Sequence, residues 1–132
     1  MLGSFDVMAF VVTTDVTRAR QFYENILGLR VLSDDPNAVV LDANGTVVRI
    51  TRVRDFEPAP HTVLGWFVPD ARAAVLQLGA AGVSFERFEE FTQDTLRICT
   101  FPDGTKVAWF KDPDGNMLSV TQLAPPQEGQ PH

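Results

Sequence analysis

The chain carries one pattern twice, and that duplication restricts its fold more than any other feature. Residues 7–14 form an apolar run that ends at Asp15, followed by helical spacing at Val16, Ala19, Phe22, Tyr23, Ile26 and Leu27. Gly28 then provides the stop, since a residue without a Cβ enters the left-handed region that closes a helix. Residues 63–68 repeat the apolar run up to Asp70, with Ala71, Ala74, Val75 and Leu78 at helical spacing and Gly82 as the stop. Each Asp stands just before the first apolar helical residue, where its carboxylate accepts from free backbone amides. Short strands follow in both halves. In the first they are 29–33, 38–42 and 46–53, the last two joined at Asn44-Gly45. In the second they are 83–86, 95–101, 106–110 and 117–122, with a turn at Asp103-Gly104.

The pattern predicts an α+β domain over residues 1–124, made of paired βαβββ modules at 5–55 and 61–123. Their strands form a curled mixed sheet around a concave cleft, with a helix outside each half. Residues 54–60, with Pro58 and Pro60, read as the linker, and residues 86–94 as the most mobile loop. Residues 125–132 are Pro, Gln and Gly with little to bury, which predicts a disordered tail. No apolar run approaches the length of a membrane span and no secretory pattern opens the chain, so neither membrane nor export is expected. The lone Cys99 excludes an internal disulfide and fits a reducing cytoplasm. A net charge of −6 argues against nucleic acid, which needs clustered Lys and Arg.

Near the end, Val107-Ala108-Trp109-Phe110-Lys111 runs into Asp112-Pro113-Asp114-Gly115-Asn116 and out through Met117-Leu118-Ser119-Val120. Pro113 pre-sets the first corner and Gly115 supplies a positive φ. With the opening unit from Phe10 to Asp15, the pair Phe22-Tyr23 and the Leu27-Gly28-Leu29 stop, this hairpin resembles the vicinal oxygen chelate superfamily of glyoxalase, bleomycin-resistance and extradiol-dioxygenase proteins. The similarity runs over residues 5–123. One fold of this kind hosts many reactions, so the chemistry has to come from the site.

The resemblance implies four metal-ligand positions, two per module. They fall on Met8, Arg49, Val63 or Leu64, and Ser119, the last standing where metal-dependent members have a Glu. A thioether, a guanidinium, an aliphatic and a hydroxyl do not make a site for Fe, Mn, Ni or Zn. No metal and no other cofactor is therefore expected. His61 lies near the third position but reads as a loop residue at a strand's mouth, and Cys99 has no neighbouring His to activate it.

Strand alternation turns these positions into faces. If Met8 faces the concavity so do Phe10, Val12 and Thr14, with Val7, Ala9 and Val11 under the helix. Arg49 brings Val47, Thr51 and Val53; Ser119 brings Met117 and Thr121, leaving Leu118 and Val120 under the second helix. Trp66 or Phe67 and Trp109 or Phe110 add aromatic walls. Arg49 is open to three roles: pairing with Asp55 or Glu57, reaching solvent, or binding an anion. The expected ligand-binding set is Met8, Phe10, Arg49, Thr51, Leu64, Trp66, Trp109 and Ser119. An apolar, aromatic lining with few polar groups suits a small organic molecule. The favoured function is metal-independent binding and sequestration, as the resemblance to bleomycin-resistance proteins implies. The alternatives are a glyoxalase- or dioxygenase-like lyase or isomerase, and a non-catalytic dimeric module. The resemblance and the open strand edges also predict a homodimer.

Overall fold

The computed structural model describes residues 1–125; the remainder of the expected tail lies outside the described residues. Two compact units emerge, and the chain crosses back once. Unit 1 comprises Met1–Pro60 together with Asp112–Asn116, and unit 2 comprises His61–Lys111 and the chain from Met117.

In unit 1, β1 (Met8–Thr13) leads into α1 (Val16–Arg20), then β2 (Arg30–Asp35), β3 (Ala38–Ala43) and β4 (Thr46–Arg52). The strand order is β1-β4-β3-β2, with β1 parallel to β4 and the other pairs antiparallel. Unit 2 repeats this as β5 (Thr62–Phe67), α2 (Ala71–Ala80), β6 (Cys99–Thr100), β7 (Lys106–Lys111) and β8 (Met117–Gln122), in the order β5-β8-β7-β6. The architecture is α+β with two mixed four-stranded sheets, neither of them closed.

Both predicted caps form. Asp15 accepts from the Arg18 amide and Asp70 from the Ala73 amide, each at 3.1 Å. Gly28 and Gly82 end their helices at positive φ. The first helix differs from expectation in its second half: after Arg20 it widens into a π-helical segment, Gln21–Ile26. The wider turn lets two consecutive aromatic side chains, Phe22 and Tyr23, both reach the interior. Under α1 lie Val11, Val39, Leu41, Val48 and Ile50, all buried.

The second unit departs further from the predicted strands. Residues 83–86 contribute only a bridge, Phe85 opposite Phe110, and 95–101 shrinks to Cys99–Thr100. Side chains take the backbone groups that a longer strand would use. Asp94 Oδ1 accepts from the Leu96 and Ile98 amides, Gln93 Nε2 donates to the Arg97 carbonyl, and Arg97 itself is turned to φ 70°. Val7, expected under the helix, is exposed because it precedes β1 and has no strand partner.

Candidate functional site

In each unit one sheet face carries the helix and the other does not. Val48 and Ile50 point to the helix in unit 1, so Val47, Arg49 and Thr51 take the opposite face. Register places Phe10 beside Arg49 and Val40 on its other flank, giving the lateral row Phe10–Arg49–Val40. Met8 and Val12 sit on the same face in neighbouring rows, opposite Val47 and Thr51. Phe10 is 63% exposed and Met8 44%, so the face is apolar and bare. Arg49 is half-buried in its middle. Its guanidinium makes no hydrogen bond or ion pair with any described residue, so neither Asp55 nor Glu57 pairs with it. A forked cation among apolar neighbours with no acceptor favours an anionic group from outside.

Unit 2 has the corresponding row Gly65–Ser119–Trp109. Here the sequence reading needs correction. Leu64 and Trp66 do not share a face with Ser119; they pair with Leu118 and Val120, the buried helix-side residues. The register shifts between Thr62 and Leu64, and a single extra residue in a strand reverses the parity of all that follow. Gly65 and Phe67 therefore take the face that Leu64 and Trp66 were expected to hold. Phe67, the alternative to Trp66 that the sequence left open, has the observed parity.

The same register shows what surrounds the residues at the implied metal positions. Arg49 is opposite Phe10 rather than Met8, and Ser119 is opposite a residue with no side chain. A Cβ at position 65 would lie 2.6 Å from Ser119 Oγ, so the hydroxyl occupies the space a donor there would need. Among the described residues no three His, Cys, Asp or Glu side chains converge. The divalent ion implied by the resemblance does not fit this donor set. His61 is exposed, its Nδ1 lying 3.1 Å from the Thr62 carbonyl oxygen, and Cys99 is buried opposite Val107.

Residues 86–101 supply aromatic side chains that the sequence reading did not assign to the site. The Glu86 amide donates to the Trp109 carbonyl, extending pairing along the outer edge of β7. Phe91 then lies flat on Trp109, ring centroids 5.1 Å apart at 14°, while Phe88 meets the same indole edge-on at 5.2 Å.

The 112–116 turn is a scaffold. Asp112 is buried and accepts from the Tyr23 hydroxyl at 2.7 Å, from Asn116 Nδ2 at 2.8 Å and from the Asp114 and Asn116 amides. Burial first, and then the adjacent Asp112 carboxylate, push the Tyr23 phenol far above its ordinary range, so it stays a donor. Asp114 is held by the Thr13 hydroxyl, the Thr14 amide and hydroxyl, and Arg18. Burial alone would raise its carboxyl, but those donors and the Arg18 charge outweigh it and hold it below the usual range. Among the described residues no buried side-chain nitrogen or oxygen lacks a hydrogen bond, so these contacts hold the turn in place.

A family model described as the Glyoxalase/Bleomycin resistance protein/Dioxygenase superfamily matches residues 5–120. Solved structures of similar fold include a member of that superfamily from Sphaerobacter thermophilus DSM 20745, 25% identical, covering 90% of this chain and 97% of that one at TM-score 0.70. A lactoylglutathione lyase from Agrobacterium tumefaciens is 15% identical, covering 90% and 93% at TM-score 0.67. TioX from Micromonospora sp. ML1 is 18% identical, covering 89% and 98% at TM-score 0.66. No curated protein matches the chain. No helix among the described residues is long and apolar enough to cross a membrane. The chain belongs to the glyoxalase/bleomycin resistance protein/dioxygenase superfamily.

Proposed function

We propose that this protein binds a small organic molecule without a metal and holds it rather than transforming it. The observation that carries the reading is Arg49: a half-buried guanidinium with no acceptor among the described residues, between the exposed Phe10 and the half-buried Val40 on an apolar sheet face. Met8 and Thr51 extend that surface, and the unit 1 ligand is a flat apolar molecule bearing a carboxylate or similar anion. Trp109, with Ser119 beside it, is the corresponding surface in unit 2. The side chains at the implied metal positions, Met8 and Arg49 in unit 1 and Val63 or Leu64 and Ser119 in unit 2, are what disfavour metal-dependent chemistry like that of the superfamily's lyases and dioxygenases.

Calorimetric titration with quinoline-2-carboxylate tests the anion assignment. Wild type binds, and Arg49→Met weakens binding tenfold or more, since a hydrogen bond to a charged group contributes about 1.5–3 kcal/mol. Equal binding by Arg49→Met overturns the role of Arg49. Thermal melts with Ni, Zn, Mn and Fe salts test the metal side: a stabilisation that saturates near one equivalent overturns the metal-free reading.

The working form is a homodimer. Phe5 and Val7 are exposed apolar side chains leading into the edge strand β1, and a second copy gives them and that edge cover. Sedimentation at micromolar concentration reads the assembly, and a 14.6 kDa species counts against it.

A further inference from the structure

The surroundings of Phe91 amount to a slot for one flat ring. Trp109 supplies the floor, stacked at 5.1 Å and 14°. Phe88 and Phe101 supply two walls, each nearly perpendicular to the Phe91 ring, at 6.2 Å and 87° and at 5.8 Å and 76°. A face-to-face platform with two edge-on neighbours satisfies the aromatic quadrupole on three sides. Yet the ring filling it is 36% exposed, so the fourth side opens to solvent.

The chain on either side of Phe91 is held unevenly. Gln93 pins the base of the loop: its Oε1 accepts from the Phe88 amide at 2.7 Å, and its Nε2 donates to the carbonyls of Glu86 at 2.9 Å and Arg97 at 2.8 Å. Asp94 fixes the segment beyond, through the Leu96 and Ile98 amides. Between these anchors, residues 89–92 keep one backbone hydrogen bond, from the Phe91 amide to the Phe88 carbonyl at 3.2 Å. The side chains of Glu89, Glu90 and Thr92 bond to no described residue. Swinging the tip outward therefore breaks one long hydrogen bond, the stack on Trp109 and the edge contacts with Phe88 and Phe101, while the base stays closed and an incoming ring restores the ring contacts.

We infer that Phe91 is a built-in stand-in for a ligand: its ring occupies the Trp109 platform until a flat aromatic molecule displaces it, and the 89–92 tip swings out to admit that molecule. The inference rests on the reading of Trp109 as a binding surface. Glu89 and Glu90 flank the displaced ring, which selects a neutral or cationic aromatic here, unlike the anion favoured beside Arg49. Competition of this kind acts as a conformational tax, lowering apparent affinity by the fraction of molecules with the slot free.

The test uses full-length Trp66→Phe protein, in which Trp109 is the single tryptophan, titrated with N-methylquinolinium and read by fluorescence quenching that saturates. Phe91→Ala frees the platform and should lower the Kd by about two- to tenfold, the range a stacked pair represents. Phe91→Tyr keeps the stack, leaves Trp109 as the single tryptophan, and should leave the Kd near that of the Phe91 protein. Saturable binding that is unchanged or weaker in Phe91→Ala overturns the stand-in role while leaving Trp109 as a binding surface. No saturable quenching in any variant, including the one with the platform bare, overturns both.

Discussion

In unit 1 the row on the helix-free face starts at Phe10, largely exposed, beside an Arg49 that bonds no described residue. In unit 2 the matching row is Gly65, Ser119 and Trp109, and the chain's own Phe91 lies flat on the last of them. The strand order is the same in both. The difference lies in the connections: from the first helix to β3 the chain spends residues 27–37, most of them in β2, while from α2 to β7 it spends residues 81–105 with only the short β6 among them. Extra chain in unit 2 folds back over its own sheet; unit 1 has none to spare. Duplicated topology thus fixes where the helix packs, whereas loop length decides whether the opposite face is open.

The largest way to separate the units is at their helix cores. Tyr23 is fully buried and tied to Asp112, while the matching helical position in unit 2 is the half-buried Leu78. Tyr23→Ala should cost about 3–5 kcal/mol, seen as a lower urea midpoint, because a large ring is lost and Asp112 loses a donor. Tyr23→Phe should cost about 1–2 kcal/mol, the hydrogen bond alone. If both substitutions cost the same, the ring packing has been overvalued.

Positions 10 and 65 should respond unequally. Gly65→Ala drives a Cβ to 2.6 Å from Ser119 Oγ and should destabilise by about 1–3 kcal/mol as overpacking. The double variant Gly65→Ala/Ser119→Ala should recover most of that loss. Failure to recover would mean the backbone rather than the hydroxyl is the obstacle.

Asp114 sharpens the comparison by pH. Its folded carboxyl titrates below its unfolded value of 3.8, so its contribution is present above that value and is lost as pH falls through the lower folded one. Asp114→Asn should therefore flatten the loss of stability below about pH 4. An acid limb identical to wild type in urea melts would remove Asp114 as its source.

Phe10→Ser should change stability least, within about 0.5 kcal/mol, as expected for an exposed side chain away from the core. It should nonetheless weaken quinoline-2-carboxylate binding, since the ring flanks Arg49. A stability loss above 1–2 kcal/mol would show that the unit 1 face is less bare than its exposure indicates.

Much of the fold was legible before any coordinates. Asp15 and Asp70 announce two helix starts because an N-cap is a contact between residues three apart. Asn44-Gly45 announces its hairpin for the same reason, and both residues adopt positive φ. Met8, Phe10, Arg49 and Thr51 come out on the expected face because β1 and β4 alternate without interruption. Leu64 and Trp66 do not, because the shift near Val63 is set by how β5 finds β8.

What the sequence determined by itself is therefore local: caps, stops, turns and the period of each strand, all governed by residues within a few positions of one another. The tertiary structure decided the rest. It set the parity of β5, the π-helical widening that admits both Phe22 and Tyr23, the meeting of Phe91 with Trp109, and the absence of a partner for Arg49 among the described residues. Each depends on groups distant in sequence, or on a neighbour's failure to arrive, and a short-range pattern carries no record of either.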